Sequence, residues 1–143
     1  MNQSAWAHQR RKNAALHQRR LQQEQAARTA QARQLIARFL TAAERHCIQP
    51  QSLRLTGYNG TSARTNLRGW YLRLDRTVGI DTAGNFYVLT APLSLLDRFR
   101  TQRPVPCDPP LVIGLGGRDG DSIELRAALE RLLPGWEDAG NQA

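Results

Sequence analysis

The sequence predicts an α+β fold, in which a long basic N-terminal helix packs at its C-terminal end on a small antiparallel sheet with two further short helices. Residues 5–47 contain no proline or glycine and consist mainly of strong helix formers. From residue 50 onward, short alternating segments are separated by turn residues, a pattern typical of strands. The helical stretch becomes amphipathic only near its end, so we expect that end alone to dock on the sheet.

The helical stretch has two parts. Its last turns carry one apolar stripe at spacings of three and four residues, formed by Leu35, Ile36, Phe39, Leu40, Ala43 and Cys47. This pattern predicts Cys47 in the core and the neighbouring His46 on the solvated face. Before residue 32 the large apolar residues are few and the basic residues point in every direction, so this part has little to pack against. We expect it to fray free in solution and to order against a partner.

These patterns divide the chain into three regions. Its 143 residues are enough for one domain with an appendage and too few for two ordinary domains. We assign residues 1–34 to a basic helical arm that is exposed or partly disordered. Residues 35–135 form the compact α+β domain, and residues 136–143 form a loose tail.

The β part begins after Gln49-Pro50, where the helical pattern ends. Residues 53–58 alternate and run into Asn59-Gly60, a dipeptide that favours a type I′ turn because both residues accept positive φ. A return strand over residues 61–67 follows from that hairpin.

A second group of strands predicts an antiparallel meander, over residues 70–74, 78–80 and 86–89. Its last hairpin, residues 79–88, is similar to the hairpin of propeller-type repeats, which carry an Asp, a Gly-Asn turn and an aromatic strand. Here these are Asp81, Gly84-Asn85 and Phe86-Tyr87. The pattern occurs once, without a second copy at a fixed period, so it supports the hairpin alone.

The C-terminal third alternates short elements with irregular chain. Pro92 fits a first helical turn, and Leu93, Leu96 and Phe99 share a face, which predicts a short helix over residues 92–100. The proline-dense residues 103–110 predict a stiff extended connector.

A last strand over residues 111–113 leads through a glycine-rich loop, residues 114–120, into a final helix. Asp121 as cap and Glu124 at the third position suggest a capping box, and Pro134-Gly135 ends the helix. The core-facing residues of this helix are Leu125, Ala128, Leu129, Leu132 and Leu133.

A strand, glycine-rich loop and helix in this order can bind phosphate through backbone amides. The glycines here miss the dinucleotide-binding spacing, and Asp119 and Asp121 would repel an anion. We therefore favour a structural turn over an anion site.

The charge of the chain is concentrated in its N-terminal third. The net charge is +8, yet residues 1–46 hold nine basic residues against two acidic ones, while the other 97 residues are close to neutral. An unbalanced basic arm on a neutral body favours a polyanionic partner, most simply RNA or DNA. The residues predicted to contact phosphates are Arg10, Arg11, Lys12, Arg19, Arg20 and Arg28.

One face of the sheet is a second candidate. Alternation places Tyr71 and Arg73 opposite Trp70, and a shared open face of Tyr58, Tyr71, Arg73 and Tyr87 would suit unpaired bases. The alternative, which we favour, is that tyrosines are common in strands and are covered in the fold. We include Tyr71 and Arg73 as candidate nucleic-acid-binding residues.

Nothing in the sequence predicts catalysis, a metal site or a cofactor. Cys47 and Cys107 stand alone, His46 and Cys47 do not face each other on a helix, and no zinc-ligand spacing occurs. Unpaired cysteines and the lack of a long apolar segment suggest a protein of the cytoplasm that has no membrane partner.

The function predicted from the sequence is therefore that of a small, non-enzymatic, nucleic-acid-associated protein. The alternative is an adaptor whose basic helix binds an acidic protein surface. An enzyme that uses the glycine-rich loop ranks third.

Overall fold

The computed structural model describes residues 2–114 and 122–139 and confirms an α+β fold. Helix α1 spans Asn2–Arg45 without interruption, so its 44 residues extend about 66 Å at 1.5 Å per residue. A sheet of five strands follows, then a two-stranded sheet and two short helices.

The strands of the main sheet are β1 (Gln51–Gly57), β2 (Ser62–Tyr71), β3 (Val78–Asp81), β4 (Phe86–Val88) and β5 (Thr90–Ala91). Their order in the sheet is β4-β3-β2-β1-β5. The first four are antiparallel, as predicted, but β5 pairs parallel to β1, so the sheet is mixed. The residues predicted as two separate strands, 61–67 and 70–74, are largely one long strand that ends at Tyr71.

The β1–β2 hairpin has a different turn from the predicted type I′. Gly60 has a φ of +85°, whereas Asn59 is not among the residues with positive φ. The Gly60 amide donates to the Gly57 carbonyl at 3.0 Å, and the Gly57 amide donates to Thr61 at 2.6 Å. This is the geometry of a type I turn followed by a glycine bulge, which adds one residue to the loop.

The C-terminal elements are a 3-10 helix (Leu95–Phe99), β6 (Val112–Ile113), β7 (Ile123–Glu124), α2 (Leu125–Leu132) and α3 (Trp136–Ala139). The predicted helix over residues 92–100 is only this 3-10 helix, and none of its residues is buried. The connector over residues 103–110 has no regular structure beyond a bridge from Cys107 to Phe86.

The predicted capping box at α2 is wrong. Glu124 is the N-cap residue rather than the third helical residue, and its side chain makes no capping bond. Residues 123–124 are extended because they pair with β6. Asp121 and the glycine-rich loop beyond Gly114 lie outside the described residues.

The prediction of Cys47 in the core is also wrong, since its side chain is exposed. Cys47 has a φ of +54°, and the Ile48 amide donates to the Ala43 carbonyl at 3.0 Å. A left-handed residue with this bond is a Schellman helix end, which turns the chain away before Cys47 can continue the apolar stripe. Ile48 takes its place and packs against the core.

The core lies on both faces of the main sheet. On one face, the end of α1 packs through Ile36 and Phe39 against Trp70 and Ile80, and α2 and α3 join this cluster. The other face carries a smaller cluster of Leu53, Leu55, Leu67, Tyr87 and Leu89. Gly69 permits the close approach of β2 and β3, since a Cβ there would collide with the Ile80 carbonyl oxygen.

Trp136 completes the first cluster and contradicts the expected loose tail. It is 0% exposed, and Phe39 meets its ring edge-on at 6.2 Å between centroids. Gly135, with a φ of +78°, turns the chain after α2 so that α3 returns to α1.

Candidate nucleic-acid interface

The arm is the part of α1 that precedes its first core residue, Ala32. Within residues 3–31 every side chain is exposed except those of Ala7 and Thr29, which are half-buried. This segment therefore extends about 45 Å along the helix axis without entering the core. It is helical throughout, with the exposed surface that the sequence predicts.

The six arm residues predicted to bind phosphate are all exposed. Arg10, Arg11 and Lys12 follow one another on the helix, so they are about 100° apart and surround its axis. Arg28 lies about 27 Å further along the axis than Arg10. The structure thus places these cations around and along a cylinder rather than on one face.

None of these six cations forms an ion pair with a residue that the structure describes. The ion pairs of the described residues include Arg33–Asp108, Arg73–Asp75 and Arg126–Glu137, and none involves these six cations. Glu24 is the only acid in the arm sequence. The positive potential of the arm is therefore not cancelled by neighbouring carboxylates.

Two cationic contacts are made by the part of α1 that directly follows the arm. The Arg33 guanidinium is 2.7 Å from the Asp108 carboxylate on the proline-rich connector. The Arg38 guanidinium lies 5.7 Å from the centre of the Trp136 ring. Both side chains of the ion pair are largely exposed, so its contribution to stability is small, and it mainly orients the helix relative to the connector.

Tyr71 and Arg73 do not belong to an open aromatic face. Tyr71 is half-buried, and its hydroxyl accepts a 2.9 Å hydrogen bond from the Arg54 amide. Tyr87 is buried in the second core cluster. Tyr58 is 78% exposed at the hairpin turn. The fold therefore covers part of the tyrosine face that the sequence offered for base stacking.

Arg73 and Tyr58 line one groove of about 320 Å³, together with Asp75 and Thr77. The Arg73 side chain is 15% exposed and lies 3.2 Å from the Asp75 carboxylate. Burial raises the pKa of the Asp75 carboxyl, but hydrogen bonds from Thr77 and Arg73 outweigh burial and hold the pKa below its ordinary value. An ionised Asp75 beside Arg73 weakens the attraction of this groove for phosphate.

The structure also reveals a basic surface on the body that the sequence analysis missed. The exposed arginines of the β1–β2 hairpin and of the segment after β5 are Arg54, Arg64, Arg68, Arg98, Arg100 and Arg103. The body contains nearly as many acids as arginines, so a charge count over its length hides this group. The alternation of arginines across the Asn59-Gly60 hairpin was the signal that would have shown it.

Nothing in the described part of the chain adds a metal-binding or membrane-spanning element. No group of three or more potential metal ligands occurs there. No helix within those residues has the length and apolar character needed to cross a bilayer.

Comparisons with protein-family models, with curated proteins and with solved structures find no match to this chain.

Proposed function

We propose that this chain is a non-enzymatic nucleic-acid-associated protein whose arm binds the phosphate backbone of RNA or DNA. The observation that supports this most strongly is the set of six exposed basic side chains around the part of α1 that lies outside the core. The residues assigned to phosphate contacts are Arg10, Arg11, Lys12, Arg19, Arg20 and Arg28.

The shape of the arm suits a groove of a nucleic-acid duplex. An α-helix with its side chains is about 10–12 Å across, close to the width of the DNA major groove. A helix in a groove has phosphates on both sides, so cations on its two opposite flanks both find partners. A basic stripe on one face would suit a flat anionic surface instead.

Arginine suits this role because its planar fork donates to two phosphate oxygens at once. Of the six residues, five are arginine and one is lysine. Binding that depends on phosphates releases counterions and weakens as salt rises, without a strong preference for sequence. Tyr71 and Arg73 would add contacts only near the groove beside Asp75, so the arm provides most of the affinity.

A charge-matched pair of variants tests the arm. In R19Q/R20Q two exposed arm cations are lost, whereas the control R76Q/R126Q removes two exposed body cations outside both basic surfaces. Affinity for a labelled duplex is measured by fluorescence anisotropy over a range of salt concentrations. We expect the arm variant to lower the salt slope by about 1.8, two phosphates at roughly 0.9 each, and the control to leave it unchanged. Equal slopes for the two variants would contradict the proposal.

The adaptor function remains a second candidate because the arm also exposes large apolar side chains. Trp6, Leu16 and Leu21 are each more than half exposed. Arg10 lies 4.6 Å above the Trp6 ring, so one end of the arm combines charge with an aromatic surface. Burial of such side chains is typical of a protein interface. If the full chain bound neither RNA nor DNA at physiological salt, an acidic protein surface would replace nucleic acid as the proposed partner.

A further inference from the structure

The exposed part of the β1–β2 hairpin forms what we call the open face. In β2, residues 62, 64, 66 and 68 are exposed and lie on the same side as the buried Trp70. Helix α1 packs over Trp70, but its last turn does not cover the hairpin end of the strand. The open face therefore presents Arg54, Arg64 and Arg68 to solvent, interspersed with Ser62 and Asn66.

Two of these arginines oppose each other in a way that costs stability. Arg54 and Arg64 are direct partners in the β1–β2 register. Like charges directly opposite on antiparallel strands destabilise the pair. The Arg54 Nε donates to the Ser62 hydroxyl at 2.7 Å, which orients the guanidinium but does not neutralise it. A conflict of this kind without compensation within the fold is typical of a functional surface.

The segment after β5 brings further cations to the same hairpin. Gln102 pairs with Thr65, with backbone bonds of 2.8 Å to Arg64 and 3.2 Å to Asn66, so this segment runs beside β2. Arg98, Arg100 and Arg103 flank that pairing and are exposed. Like the open-face arginines, they make no ion pair with any residue in 2–114 or 122–139.

An exposed aromatic ring lies next to these cations. Phe99 is 74% exposed, and the Arg98 guanidinium lies 5.6 Å from its ring centre. A groove of about 580 Å³ is lined by Arg54, Ser62, Arg98, Phe99 and the hairpin turn. A phenylalanine exposed in this way costs solubility and contributes nothing to the core.

We propose that the open face and this groove bind single-stranded nucleic acid. Arg54, Arg64 and Arg98 contact successive phosphates, and an unpaired base stacks on Phe99. Cations along a groove with an adjacent aromatic ring are the elements by which proteins hold single strands without sequence preference. A duplex offers its phosphates but keeps its bases stacked on one another, so Phe99 distinguishes the two ligands. This site shares no residue with the arm and does not depend on it.

The charge part of the proposal is tested in the full chain with R54Q/R64Q against the control R76Q/R126Q. The ligand is a labelled mixed-sequence single-stranded oligonucleotide, titrated over a range of salt concentrations. We expect an affinity loss of at least about tenfold and a salt slope lower by about 1.4, two phosphates at roughly 0.7 each. The melting temperature should stay level or rise, because two opposed like charges are removed. An unchanged slope overturns the proposal.

The stacking part is tested with Phe99→Ala, with Leu96→Ala as its control, since Leu96 is exposed on the same 3-10 helix. Loss of the ring should weaken single-strand binding by about 5- to 100-fold at an unchanged salt slope, and Phe99→Tyr should restore it. Equal effects of Phe99→Ala and Leu96→Ala, or equal losses on duplex and single strand, overturn the proposal.

The same titrations separate this site from the arm. If R19Q/R20Q alone weakens binding and the open-face variants do not, the arm is the binding element and the open face is not. If only the open-face variants weaken single-strand binding, the second site stands and the proposed function of the arm fails.

Discussion

Asp81 is a buried polar residue that organises the turn between β3 and β4. Its buried carboxylate accepts hydrogen bonds from the amides of Ala83 and Asn85 at 3.0 and 2.8 Å and from the Asn85 side chain at 3.2 Å. The Tyr87 hydroxyl donates a further bond of 2.8 Å. These four bonds tie the β3–β4 turn to the second core cluster. The Asp, Gly-Asn and aromatic pattern in the sequence predicted this hairpin, and the carboxylate explains why it forms.

Tyr87 should titrate above the ordinary pKa of a tyrosine. Burial, followed by its hydrogen bond to Asp81 and the charge of that carboxylate, raises the pKa of Tyr87 to about 12. Below about pH 10 the phenol is protonated in both the folded and the unfolded chain, so stability does not depend on it. Between about pH 10 and 12 only the unfolded chain releases the proton, and stability falls as pH rises.

A phenolate absorbance titration tests this against the Tyr87→Phe variant. The wild type should show a late transition that the variant lacks. The variant should also lose less stability over that alkaline window, although it starts lower by about 1–3 kcal/mol because Asp81 loses a buried donor. A single transition at the ordinary tyrosine value in both proteins would contradict the prediction.

At the scale of elements, α1 combines two structural roles that the sequence already distinguished. Its end is amphipathic and enters the core, whereas residues 3–31 lie outside it. Helical periodicity depends only on the residues of one element, so it can be recognised from the sequence alone. The sequence predictions were wrong where contacts with a neighbouring element determine the local structure. Glu124 is extended because it pairs with β6, and Trp136 enters the core because α3 folds back onto α1.

Phe39 is the residue that joins α1 to the rest of the core. It is fully buried and meets Trp70 and Trp136 edge-on, at 5.7 and 6.2 Å between ring centroids. Phe39→Ala should lower the free energy of unfolding by roughly 3–5 kcal/mol, through lost burial and the cavity left behind. Leu16→Ala, which also truncates an apolar side chain but in the arm, should lower the free energy of unfolding by less than about 0.5 kcal/mol. Urea denaturation measures both, and similar losses would mean that the arm packs against the body.

At the scale of the whole molecule, the distribution of charge in space matters more than its sum. The arm was visible in the sequence because its cations are contiguous in the chain. The six body arginines come from two separate segments, which the sheet and the Gln102 pairing bring together. None of these six arginines forms an ion pair with an acid in the part of the chain that the structure describes, so a near-neutral body still presents a basic surface. Long-range pairing of this kind is not available from local patterns, so the hairpin arginines could be recognised from the sequence, whereas the addition of Arg98, Arg100 and Arg103 to them could not.

Deletion of residues 1–31 separates the two basic surfaces. It removes six basic residues and one acid, which lowers the net charge from +8 to +3, and it leaves Ala32 and every later core residue in place. The truncated chain should therefore still melt cooperatively with nearly the same midpoint, since no buried apolar contact is lost. Duplex binding should lose most of its salt dependence because the arm cations are gone. Single-strand binding should weaken but keep its sensitivity to Phe99→Ala, because the open face is intact. Calorimetry and salt-dependent anisotropy measure these outcomes, and unchanged duplex affinity after the deletion would show that the arm does not bind nucleic acid.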